Sequence, residues 1–159
     1  MVAMNTGEVS CDPAAVPRMT ATAPANVPKQ SIHDHCRGEE AKFKWIESEK
    51  VGYDLGETAI QNWVRVHWTG YLRAKWLEHL QGKCFWIELD RGDFGLLEQQ
   101  FQDQQDLIGP ILDRLKCGQE NLNIICWAKA NSIPLEPVIG ILEALDINSR
   151  RLVHRFDRL

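Results

Sequence analysis

His33, His35 and Cys36, with Asp34 between them, are the most concentrated set of metal-ligating side chains in the sequence. Imidazole and thiolate are the ligands zinc takes, but a structural zinc site draws four of them, usually as spaced pairs. Here three candidates crowd into four residues and the next thiol is Cys84. The cluster is therefore read as tail chemistry, and no metal ligand is assigned. His67 stands among Trp63, Trp68 and Tyr71. A histidine so placed can offer a nitrogen to a haem or another flat ring in a helical bundle. A hydrogen-bonded core histidine is the plainer reading and the one adopted. Glu78 and His79 are neighbours, so on a helix their side chains diverge by about 100° and form no acid–base pair by themselves. Cys84, beside Lys83 and just past a helix stop, is the thiol best placed for activation. An enzyme or cofactor carrier would be built on His67, Tyr71, Glu78 and Cys84. The chain has no Gly-rich phosphate loop, GxSxG elbow, HExxH or paired ExxH. We accordingly expect no cofactor, name no catalytic residue, and lean away from an enzyme.

The elements that must carry these residues are dominated by tryptophan. Five of the six, Trp45, Trp63, Trp68, Trp76 and Trp86, fall within 42 residues. Glu39–Val51 reads as a short first helix stopped by Gly52. Asp54 and Glu57 have capping-box spacing, and helical periodicity then runs to Leu80, with Gly82 as the stop. On this long helix Ile60, Trp63, Val64, His67, Tyr71 and Ala74 share one face. Val66, Leu72, Trp76, Leu77 and Leu80 lie on another, so the apolar side should change over near Thr69-Gly70. Cys84–Leu89 suits a short strand, and Asp90-Arg91-Gly92-Asp93 a turn; the RGD within it is not read as an adhesion signal. A helix capped by Asp93 should run to Gly118, either kinked at Gly109-Pro110 or divided there into two nearly collinear helices. Further helices are expected over 120–130 and, after Ser132-Ile133-Pro134, from Leu135 to about Asp146. A last short helix capped by Asn148 would carry Arg150, Arg151, Arg155 and Arg158.

Residues 1–30 hold four of the seven prolines and no aromatic side chain, which predicts a segment unable to offset its ordering entropy. The expected architecture is all-α: a single compact helical bundle of about five or six helices over 39–159, around a long Trp-rich central helix, with a disordered N-terminal arm over 1–38. Five cysteines in irregular spacing, no apolar signal core and no long apolar run predict a soluble protein of the cytoplasm with free thiols.

Charge is unevenly placed. Residues 83–147 carry 5 Lys/Arg against 11 Asp/Glu, and 148–159 carry 4 Arg against one Asp. The hairpin over 122–145 has partial helix-turn-helix offsets, but its second helix holds Glu136, Glu143 and Asp146 and no cation, so nucleic-acid binding there or through the basic C-terminal tip is the weaker alternative. Surplus apolar surface on the long helix points to a small interaction or regulatory protein that associates with itself or a protein partner. Its expected contact residues are Trp68, Tyr71, Leu72, Trp76 and His79, with Arg150, Arg151 and Arg155 as an ionic rim.

Overall fold

A computed structural model describes residues 27–156. Residues 1–26 of the expected arm, Cys11 and Arg158 lie outside the described residues. Six α-helices follow in order: α1 (Ile32–Val51), α2 (Glu57–Leu80), α3 (Leu96–Gln100), α4 (Gln105–Lys116), α5 (Asn121–Ala130) and α6 (Leu135–Leu145). Two-residue strands, β1 (Lys29–Gln30) and β2 (Phe85–Trp86), pair in parallel. The fold is thus all-α, and α2 is its centre. No helix among the described residues is long and apolar enough to cross a membrane.

The burial on α2 differs from the two-faced expectation. Val64, Trp68, Leu72, Trp76 and Leu80 recur every fourth residue and are all buried, joined by Ala59, Trp63 and Leu77. A row spaced by four drifts by about 40° per step on a helix with 3.6 residues per turn. The apolar stripe therefore winds continuously around α2 instead of changing over at Thr69-Gly70. Val66 and His67, assigned to the two faces, are exposed. The expected capping box is absent as well. Asp54 Oδ1 accepts the Gly56 amide at 2.8 Å, and Gly56 itself, at φ 60°, precedes the first turn without a side-chain cap.

α1 begins seven residues before the expected Glu39, so a boundary between 38 and 39 falls inside a helix. The cause is distant in sequence. Strand β2 aligns Phe85 with Lys29 and Trp86 with Gln30. Glu88 then accepts the Ser31 hydroxyl and, at 2.8 Å, the Ile32 amide, which caps α1 from 56 residues away. Burial raises the Glu88 pKa, but those donated hydrogen bonds outweigh it and hold the carboxyl below its ordinary value. Ile32 and Cys36 are buried in consequence. Gly52, at φ 81° with its amide bonded to the Ser48 carbonyl, ends α1 where the sequence places a left-handed stop.

The break expected at Gly109-Pro110 occurs earlier, at Phe101 (φ −123°, ψ 35°), followed by a 3-10 turn over Gln102–Gln104. Pro110 is accommodated inside α4. The donor it lacks would have served Asp106 in the first turn, and both residues are open to water. The expected helix after Asn148 is also absent. Asp146 (φ 43°) ends α6, a 3-10 turn covers Ile147–Ser149, and the chain then runs without regular structure to Phe156. This last stretch lies as a strap across α2, because the Trp68 indole N–H donates to the Leu152 carbonyl at 2.9 Å. Trp76 donates likewise to the Leu145 carbonyl at the end of α6, also at 2.9 Å. Two large rings are thereby buried with their polar edges satisfied.

Candidate functional site

Three histidines are built into the fold in the same way. His79, fully buried at the end of α2, accepts the Trp86 backbone amide at Nδ1 at 3.1 Å. His154, buried in the strap, accepts the Phe156 amide at Nδ1 at 3.1 Å. His35 on α1 lies with Nδ1 2.7 Å from the Tyr71 hydroxyl. Burial raises the Tyr71 pKa far above the usual phenol range, so the phenol keeps its proton beside His35. A backbone amide can only donate, so in neutral His79 and His154 the ring proton resides on Nε2.

That assignment decides what the two acidic clusters hold. His79 Nε2 faces Asp90 Oδ1 at 3.3 Å and Asp93 Oδ1 at 3.6 Å. His154 Nε2 faces Glu40 Oε1, and Cys36 Sγ stands 3.7 Å from the same oxygen. In each set the ligand-type atoms lie within 4.8 Å of one another. For either to bind a metal, Nε2 would have to release its proton while Nδ1 stays engaged by an amide, leaving an imidazolate. Both sets are better suited to a shared proton than to a cation. Burial depresses the His79 pKa despite the nearby Asp90 and Asp93, which push the other way. Cys36 is raised to about 11, by burial first and then by Glu40, so its thiol stays protonated.

Each cluster also fixes an arginine of the expected basic tip. Arg150 donates to Asp93 Oδ2 at 2.6 Å and covers the Trp76 ring at 3.6 Å. Arg155 donates to Glu40 Oε2 at 2.7 Å. The C-terminal arginines thus tie the strap to α1 and to the turn after β2, and of the rim only Arg151 points freely outward among the described residues.

The other expected contact residues are placed inside. Trp68, Leu72, Trp76 and His79 are at most 7% exposed, and Tyr71 is half-buried. The long helix was expected to carry more apolar surface than its own chain could cover. The winding stripe removes that surplus, because α1, β2, α4 and the strap all pack on the helix. The α5–α6 pair forms a hairpin as read, but outward positions on α6 include Glu136, Ile139 and Glu143, with no cation.

The enzyme residues are divided. Tyr71 and Glu78 share a half-buried patch with Lys75, whose ammonium lies 3.4 Å from Glu78, 5.5 Å from the Tyr71 ring and 5.1 Å from the Trp86 ring. His67 is outside it, exposed between Phe43 and Trp63; His35 takes its place beside Tyr71. Cys84 is not activated, since burial and Glu78 raise its pKa against the opposing Lys75. The early cluster does not converge either. His33 is exposed, His35 turns to Tyr71, and Cys36 Sγ donates back to the His33 carbonyl at 3.3 Å.

Two surfaces were missed in the sequence, and both had a signal. One is the outer face of α1, where Lys42, Trp45, Ile46 and Glu49 fall at helical spacing. The other is the second row on α2, Arg65, Thr69 and Arg73, one residue after Val64, Trp68 and Leu72 of the apolar row. Compared with protein families, curated proteins and solved structures, the chain matches none of them.

Proposed function

We propose that this protein is a small helical interaction module that associates with a second copy of itself through the outer face of α1. Every buried residue of α1, namely Ile32, Cys36 and Glu40, lies in its first nine positions. Beyond them the helix pairs with the start of α2 as a hairpin end that leaves Trp45 64% and Tyr53 66% exposed. This end is well braced. Ser48 Oγ accepts the Leu55 amide at 3.1 Å, and Lys44 meets Asp54 at 3.2 Å. Trp45 and Tyr53 border a cleft of about 630 Å³. Rigid, exposed Trp and Tyr are the side chains that contribute most at protein interfaces.

The observation that carries the reading is the order Lys42, Trp45, Ile46, Glu49 along one exposed stripe. Two antiparallel copies related by a two-fold axis between positions 45 and 46 would set Trp45 on Ile46 twice. The same axis would set Lys42 against Glu49 twice. An isologous contact requires this self-complementarity. The described cysteines, Cys36, Cys84, Cys117 and Cys126, are all unpaired, which supports a reducing compartment and hence the cytosol.

Light scattering coupled to gel filtration tests the proposal. Wild type should run as a dimer, Trp45→Ala should weaken it, and Lys42→Glu should dissociate it. Adding Glu49→Lys to Lys42→Glu should restore the dimer. A monomer at every accessible concentration, or a charge swap without rescue, removes this reading.

A further inference from the structure

We propose that the groove between α2 and the C-terminal strap binds a compact oligophosphate, the chemistry shared by a nucleoside triphosphate and inorganic polyphosphate. The groove encloses about 530 Å³ and is floored by the apolar row that includes Trp68 and Leu72. One wall is the row Arg65, Thr69, Arg73; the other carries Asn148, Arg150 and Arg151. Among the described residues lining it there are four arginines and no carboxylate, on a chain of net charge −4.

The arginines are held with donors to spare. Each guanidinium has five N–H groups in a planar fork that suits phosphate oxygens. Arg73 spends Nη1 on the Gln119 carbonyl and Nη2 on Glu120, leaving Nε. Arg65 spends only Nη2, on Asn62. Arg150 spends Nη2 on Asp93 and lies over the Trp76 ring with Nε and Nη1 buried, so it lends the groove its charge. Arg151 is exposed and makes no contact among the described residues. Two carboxylates outside the lining, Glu120 and Asp93, pair with Arg73 and Arg150.

Size and aromatic access select the ligand. Arg65 and Arg73 are eight residues apart, about 12 Å along the helix. One phosphate cannot serve both ends, whereas a short phosphate chain can engage arginines along both walls. A single-stranded nucleic acid would need ring faces on which to stack its bases. Trp68 and Trp76 offer almost none, being 5% and 1% exposed, and Trp76 is covered by Arg150.

Isothermal titration calorimetry on the full chain provides the test, with tripolyphosphate, ATP, orthophosphate and a single-stranded oligonucleotide as probes. Tripolyphosphate should bind at least about tenfold more tightly than orthophosphate, and the affinity should fall as salt screens the charges. Arg65→Gln/Arg151→Gln should lose at least about tenfold, with an unchanged circular dichroism spectrum and Tm, because both side chains are solvent-facing. ATP equal to tripolyphosphate would show that the site reads the phosphate chain from either source. ATP much tighter would make it a nucleotide site, and tripolyphosphate alone an inorganic polyphosphate site. The proposal fails if neither binds at low salt, if the double variant binds like wild type, or if only the oligonucleotide binds.

Discussion

Glu40 offers the sharpest perturbation, because one carboxylate joins α1 to a strap 114 residues further along. It is 1% exposed, and it accepts from His154 Nε2 and from Arg155 at 2.7 Å. The two partners should respond unequally to its removal. His154 is 2% exposed and cannot turn to water, whereas the Arg155 side chain is 46% exposed and can be resolvated. Breaking a buried pair from one side costs about 3–5 kcal/mol. Discounting the screened Arg155 half, Glu40→Ala should cost about 3–4 kcal/mol. That is a large share of a domain's typical 5–15 kcal/mol. Glu40→Gln keeps an acceptor for His154 and should cost about 1–2 kcal/mol. Urea titration supplies the numbers, and tryptophan fluorescence supplies a local readout, since the His154 ring stands edge-on to Trp68 at 4.8 Å. In Glu40→Gln the Cys36 pKa should fall from about 11 but stay above 9.0, because burial, its first cause, remains. A Glu40→Ala cost below about 0.5 kcal/mol, within the range of ordinary surface substitutions, would refute the clamp.

The remaining predictions concern protons, thiols and metals. His79 has a folded pKa depressed by burial, so the unfolded chain takes up the proton first as pH falls through the ordinary value of 6.5. Its contribution is therefore neutral above that value and destabilising below it, and His79→Asn should flatten the difference in stability between about pH 7.5 and about pH 5.5. An unchanged slope would place that pH dependence elsewhere. Alkylation mapped by peptide mass spectrometry should modify exposed Cys117 and Cys126 first and half-buried Cys84 later, with Cys36 protected until the fold opens. Early modification of Cys36 would contradict its burial and raised pKa. Zinc or EDTA should leave Tm unmoved, since a metal at about a hundred times its Kd would add about 2.7 kcal/mol, a shift of several degrees. A zinc-dependent rise lost in His154→Gln would show that Nε2 does give up its proton.

What could be read from the sequence was local. The stops at Gly52 and Gly82, the helix over 120–130 and the start of α6 just past Pro134 depend on backbone preferences within a few residues. The number of helices agrees because the break at Phe101 adds one while the helix expected after Asn148 is absent. The errors fall where a partner far along the chain decides. Glu88 starts α1 early, and Leu152 and Leu145 accept from the tryptophans that were expected to face a partner. The two-faced reading of α2 failed for a related reason. Sorting residues by azimuth on a straight cylinder hides a row spaced by four, which drifts steadily and can be covered by several neighbours.

The same non-locality separates chemistry-bearing residues from working ones. Histidine, glutamate, cysteine and arginine occur here in combinations that suit metal or acid–base chemistry, but nothing in their spacing reveals which ring nitrogen is already occupied. The amides of Trp86 and Phe156 determine that, and each lies within seven residues of its histidine without any side-chain signature. With Nδ1 engaged and Nε2 carrying the proton, the histidine becomes a donor that immobilises a carboxylate, and the carboxylate in turn immobilises an arginine. At Asp93 that chain ends on Arg150, in the wall of the groove. A buried cluster that looks catalytic in composition thus acts as a support. Its consequence reaches the groove as a guanidinium held in one place over the Trp76 ring.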